Sequence, residues 1–148
     1  MPTILYAEDD RDCRELFAFV LRHHDYQVYE AINGAQAVQI VREEPIVLVI
    51  LDVRMPMMTG YDAARMIGNE APHIPVVFLS AKGLQREVRT AFDCGPMVVD
   101  YLVKPVTPDQ LVLRVDQILQ VVRSYGLEAV REESLARQEL AYVLPSRQ

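Results

Sequence analysis

Four short apolar runs each end in a residue able to do chemistry. Ile46-Val47-Leu48-Val49-Ile50-Leu51 ends in Asp52, and Thr3-Ile4-Leu5-Tyr6-Ala7 ends in Glu8-Asp9-Asp10. Val76-Val77-Phe78-Leu79 ends in Ser80, and the run from Asp100 to Val103 ends in Lys104. Hard divalent cations take oxygen ligands, and Mg²⁺ combines one or two carboxylates with waters and phosphate oxygens. Glu8, Asp9 and Asp52 could supply that set, with the backbone carbonyl of Arg54 just beyond the turn. Crowded carboxylates repel one another and favour a cation. Lys104 offers a fixed positive charge and Ser80 a hydroxyl. The combination suits phosphoryl transfer to a carboxylate, with Asp52 as nucleophile. No P-loop and no GxGxxG loop occurs, so a bound nucleotide is not expected.

These residues matter together only if the strands lie side by side. Helical and strand patterns alternate along the chain. Residues 11–23 place Leu16, Phe17, Phe19, Val20 and Leu21 on a broad helical face, with Asp10 as N-cap. Tyr26 to Glu30 alternates as a strand. Asn33-Gly34 leads into a helix carrying Ala37, Val38, Ile40 and Val41, which Pro45 stops. A third helix opens at Thr59 or Gly60, and a short fourth runs from Leu84 to Phe92. Residues 100–103 make the fifth strand. Thr107-Pro108-Asp109 reads as N-cap, Pro at N1 and helix, with Leu111, Val115, Ile118, Leu119 and Val122 inward. The pattern is (βα)5: an α/β chain with a doubly wound parallel sheet covered on both faces. Right-handed crossovers place all five strand ends on one edge, where such folds do their chemistry.

A length of 148 residues fits one domain with a real core, and 51% hydrophobic residues is a globular composition. A net charge of −6 disfavours direct nucleic-acid binding. Cys13 and Cys94 form no CxxC or disulfide framework, which suits a cytoplasmic setting. Met1-Pro2-Thr3 leads directly into a strand, so no signal peptide is expected. No apolar run is long enough for a membrane helix. His23-His24 ends a helix, where imidazole suits the dipole, and is not assigned a metal or phosphohistidine role.

With these motifs in place, the chain resembles a response-regulator receiver domain, the CheY-like phosphoacceptor of two-component signalling. The matching segments are Ile4 to Asp10, Val49 to Gly60, Pro75 to Ala81 and Asp100 to Pro105, in the family's order, and the likeness covers about residues 3–122. The resemblance implies a flavodoxin-like sheet in the order 2-1-3-4-5. It implies Asp52 as phosphoacceptor and Mg²⁺ (or Mn²⁺) at Glu8, Asp9, Asp52 and the Arg54 carbonyl. It also implies Ser80 and Lys104 as phosphoryl-binding groups, Ser80 with Tyr101 as the switch pair, and a cis peptide at Lys104-Pro105. The implied partner is a sensor histidine kinase or a phosphotransfer protein, and the implied output face is helix 4–strand 5–helix 5. Two departures stand out. Glu8 replaces the commoner Asp, and Pro96-Met97-Val98-Val99-Asp100 reads as an enlarged loop before Tyr101.

The receiver is expected over residues 1–124, with residues 125–148 as a helical extension or linker. Leu127 to Leu144 reads as helix, with a loose stripe of Leu127, Val130, Leu135, Ala141 and Tyr142 and a Glu133–Arg137 pair. This segment is open to three readings: packing on the receiver, pairing in a homodimer, or leading to a further domain. Two rival functions remain at this point. One is an aspartyl-nucleophile phosphatase like the haloacid dehalogenases, which carry a DxD after the first strand. The other is a binding module independent of phosphorylation.

Overall fold

The computed structural model describes residues 1–146, with side chains described through residue 139. Strands β1 (Thr3–Ala7), β2 (Gln27–Ala31), β3 (Leu48–Leu51), β4 (Val76–Ser80) and β5 (Val98–Val103) alternate with helices α1 (Arg11–His23), α2 (Gly34–Glu43), α3 (Gly60–Glu70), α4 (Gln85–Phe92) and α5 (Pro108–Tyr125). A further helix, α6 (Leu127–Ser146), follows. The sheet order is β2-β1-β3-β4-β5 and all pairs are parallel.

Burial on both sheet faces explains the unbroken apolar runs. Leu5, Val49, Leu51 and Phe78 pack on one face, while Ile4, Tyr6, Ile50 and Leu79 pack on the other. The helices start where short polar side chains can satisfy free backbone N–H groups. Asp10 accepts from the N–H of Asp12, Asn33 from Gln36, and Thr59 from Asp62. Thr107 and Gln110 form a reciprocal capping box at α5. Helix α4 begins at Leu84 with no side-chain cap.

Several boundaries and faces differ from the sequence expectation. β3 begins at Leu48, because the chain still turns at Ile46, whose N–H donates to the Glu44 carbonyl. β5 begins at Val98, so most of the expected enlarged loop is strand. Val76 pairs with Val98 but Val77 pairs with Asp100, so the additional residue is taken up as a β-bulge. Leu16 and Phe19 are expected on the core face of α1, yet they are 52% and 66% exposed; Phe17, Ala18 and Leu21 are the buried residues of that face, with Cys13 and Val20 packed at its margin. The break before the extension narrows to Gly126, whose φ of 91° favours glycine.

Helix α6 packs back onto β5 and α5. Val130 and Ser134 are its buried residues among those described. The expected stripe positions Ala141 and Tyr142 lie outside the described side chains.

Candidate functional site

The C-terminal ends of β1, β3, β4 and β5 bring Glu8, Asp52, Ser80 and Lys104 to one edge. Asp52 directly follows β3. Its N–H donates to the Ala7 carbonyl at 3.0 Å, which ties it to β1. The Val53 N–H donates to Asp52 Oδ1 at 2.7 Å and so fixes the carboxylate's rotation. The peptide of Asp52 is also pressed by the start of α3. A Cβ added at Gly60 would stand 2.0 Å from the Asp52 carbonyl oxygen. Gly60→Ala must therefore separate α3 from β3, and is expected to destabilise the fold by about 1–3 kcal/mol. Urea denaturation checks this; an unchanged midpoint would remove the role given to this close approach.

Ligand oxygens of Glu8, Asp9 and Asp52 all lie within 4.8 Å of one another. Glu8 and Asp52 are buried and Asp9 is exposed. This donor set fits a hard divalent cation that keeps part of its water shell. Arg54 is exposed just beyond Asp52.

Lys104 reaches the same cluster. Its Nζ is ion-paired with Glu8 and lies 3.6 Å from Asp52 Oδ2. The long arm of glutamate at position 8 lets its carboxylate meet the ammonium directly. Burial and the adjoining Asp52 carboxylate push Glu8 above the usual carboxylate range, against the pull of Lys104. Burial works against the Lys104 charge, but Glu8 and Asp52 outweigh it and raise its pKa. The Lys104–Pro105 peptide bond is cis.

Ser80 is 1% exposed, and its Oγ accepts the Lys82 N–H at 3.2 Å. Tyr101 is equally buried, with its hydroxyl donating to the Lys82 carbonyl. Ser80 and Tyr101 thus hold the two backbone polar groups of Lys82. The ring of Tyr101 stacks on Phe78, which in turn meets Tyr61. Tyr61 donates to the Glu87 carbonyl in α4 at 3.1 Å. Sequence reasoning missed Lys82, since its part is played by backbone atoms that carry no residue-type signal. His23 stacks with Phe19 at the end of α1 and does not belong to the site.

The match to known proteins agrees with this geometry. The family model described as the response regulator receiver domain covers residues 4–116. The chain belongs to that family. It is 31% identical over 125 residues to the transcriptional regulatory protein SrrA of Staphylococcus aureus, covering 84% of this chain and 51% of SrrA. The chain therefore spans about half the length of the curated relatives it matches. Among solved structures it is similar to the non-phosphorylated HemR receiver domain from Leptospira biflexa. That likeness has a TM-score of 0.72 and 29% identity, covering 79% of this chain and 93% of that one. A CheY-like receiver domain protein from Methanospirillum hungatei shares the fold with a TM-score of 0.80 at 19% identity, over 85% of this chain and 99% of that one. Among the described residues of this receiver domain, no helix is long and apolar enough to cross a membrane.

Proposed function

We propose that this receiver domain is the phosphoacceptor of a two-component phosphorelay, and that Asp52 takes the phosphoryl group in a Mg²⁺-dependent reaction. The observation that carries this reading is the placement of Asp52 beside both kinds of charge. Ligand oxygens of Glu8 and Asp9 lie within 4.8 Å of its own, and the Lys104 ammonium, which also pairs with Glu8, stands 3.6 Å from Asp52 Oδ2. A sensor histidine kinase or a phosphotransfer protein is the proposed donor. The P–N bond of its phosphohistidine breaks, a P–O bond to the Asp52 carboxylate forms, and the imidazole leaves with the electron pair. Mg²⁺ held by Glu8, Asp9, Asp52 and the Arg54 carbonyl would offset charge on the transferring group. Val53 N–H holds one Asp52 oxygen while the other faces Lys104. Lys104 then pairs with the phosphoryl oxygens, and Ser80 Oγ leaves the Lys82 N–H to donate to one of them.

Recruitment of Ser80 favours the buried position of Tyr101, and the face made by α4, β5 and α5 changes with it. The proposed receiver unit is residues 1–124, with residues 125–148 as an appended segment. An acidic chain with free thiols suits a cytoplasmic protein that signals to a protein partner and not directly to nucleic acid. The phosphatase reading lacks support: β1 is followed by Glu8-Asp9-Asp10, and the DxD formed by Asp10-Arg11-Asp12 serves as the N-cap and first turn of α1.

Intact-mass measurement after treatment with acetyl phosphate and Mg²⁺ tests the assignment. The wild type is expected to gain the mass of one phosphoryl group and Asp52→Ala none. Equal gains, or no gain in the wild type, would sink it.

A further inference from the structure

The face beside β5 already has an occupant. β5 is an edge strand, and such edges carry backbone groups that need a partner or a cover. Helix α6 supplies the cover from its side chains. Arg131 donates to the carbonyls of Gly95 at 2.7 Å, Val98 at 2.8 Å and Phe92 at 2.9 Å. One guanidinium thus joins the end of α4, the start of β5 and α6. Gln138 donates to the Tyr101 carbonyl at 2.8 Å. Asp100, fully buried, is ion-paired with Arg114 of α5 at 2.6 Å and with Arg137 of α6.

Tyr101 lies where this cover meets the site. Its hydroxyl is on the Lys82 carbonyl, its N–H on Asp100 Oδ1 at 2.7 Å, and its carbonyl on Gln138. Lys82 is in turn held by Ser80, next to the acidic cluster. Docked α6 therefore fixes the backbone of Tyr101 from both sides while the ring is buried. The contact is largely polar, with Val130 the buried apolar residue of α6 among those described. Segments attached in this way open at lower free energy than a packed core.

We propose that α6 is an intramolecular partner of the β5 edge whose docking and the phosphorylation of Asp52 favour the same Tyr101-buried conformation, so that each strengthens the other. The inference rests on the phosphoacceptor reading above. The coupling is a linkage between two equilibria and must be reciprocal. Phosphorylation tightens α6, and loosening α6 weakens the hold on the phosphoryl group. A partner that needs the bare β5 edge then competes with α6 instead of being recruited by phosphorylation.

The test uses the full chain with beryllofluoride and Mg²⁺, an equilibrium mimic of the phosphoryl group. Occupancy is read by fluorine NMR and opening of residues 127–139 by hydrogen exchange. Saturation is expected to slow exchange in α6 by at least about fivefold. Arg137→Gln removes one arm of the Asp100 pairing at a part-exposed position, and is expected to weaken beryllofluoride binding by about the same factor. Bound beryllofluoride with unchanged or faster exchange in α6 overturns the coupling and leaves the receiver reading standing. Unaltered affinity in the folded variant also overturns the coupling. No bound beryllofluoride in the wild type overturns the phosphoacceptor reading and the coupling together.

Discussion

Lys104→Ala is expected to slow phosphorylation of Asp52 by acetyl phosphate by about 100-fold or more, the usual effect of removing one preorganised charge-stabilising group. Lys104 is the cation that meets both Glu8 and Asp52. Without it, negative charge gathering on the transferring group is opposed by two buried carboxylates. Glu8, already held above the usual carboxylate range by burial and by Asp52, would lose the one influence that lowers it. Lys104→Arg should recover only part of the rate, since a planar guanidinium cannot take the place of a compact ammonium between two carboxylates. The pKa of Lys104 is raised in the fold, so its stabilising contribution is complete below the ordinary lysine pKa. It is lost only as pH rises through the higher folded value. The rate difference must therefore persist across neutral pH. Time courses of intact mass measure it, and a Lys104→Ala rate within about threefold of wild type would refute the electrostatic role.

Arg114→Ala is expected to destabilise the folded chain by about 3 kcal/mol, because it removes a principal partner of a buried charge. Asp100 is fully buried, and the Arg114 side chain is only 14% exposed. Burial opposes the Arg114 charge, but Asp100 and Glu133 overcome it and raise its pKa, so the guanidinium is charged at any working pH. Arg114 also donates to the buried Ser134 hydroxyl at 2.9 Å, so its loss frees α6 as well as α5. Arg137 remains on Asp100 but is itself part-exposed. Urea denaturation gives the change in stability. A loss under about 1 kcal/mol would place this network among surface ion pairs. Truncating Arg42, whose bidentate bridge to Glu70 is solvent-exposed, is a control that should shift the midpoint far less.

The sheet and most of the site were legible because both follow local rules. Short, largely apolar runs, each closed by a polar side chain, fix where strands end. Right-handed crossovers then bring Glu8, Asp52, Ser80 and Lys104 together. The failures share a cause in long-range contact. Leu16 and Phe19 obey helical spacing, yet α1 turns Phe17, Ala18 and Leu21 to the core, with Cys13 and Val20 at the margin, and leaves those two exposed. The sequence places Asp100 at the start of the fifth strand but gives no sign that its carboxylate is buried. Its partners stand 14 and 37 residues away, and no local pattern announces them. The docking of α6 was one of three open readings, since its apolar stripe is loose and the backbone carbonyls that Arg131 and Gln138 bind carry no residue-type signal.

The bulge in β5 acts as a phase shifter. In a regular strand, neighbouring side chains alternate sides, so residues three apart face opposite ways. Val98 and Tyr101 are three apart, yet both enter the cluster beneath α3 and α4. The doubled step at Val99 and Asp100 makes this possible. Val99 packs on the opposite sheet face, and Asp100 turns to Arg114 and Arg137. Losing one of these two residues would remove the bulge and leave Val98 and Tyr101 two apart, on one face by ordinary alternation. Straightening the bulge with every residue kept would instead invert everything downstream: Tyr101 would turn away from Lys82, and Asp100 would take its place beside Phe78. The bulge therefore lets β5 carry one more residue without disconnecting the aromatic from the acidic cluster.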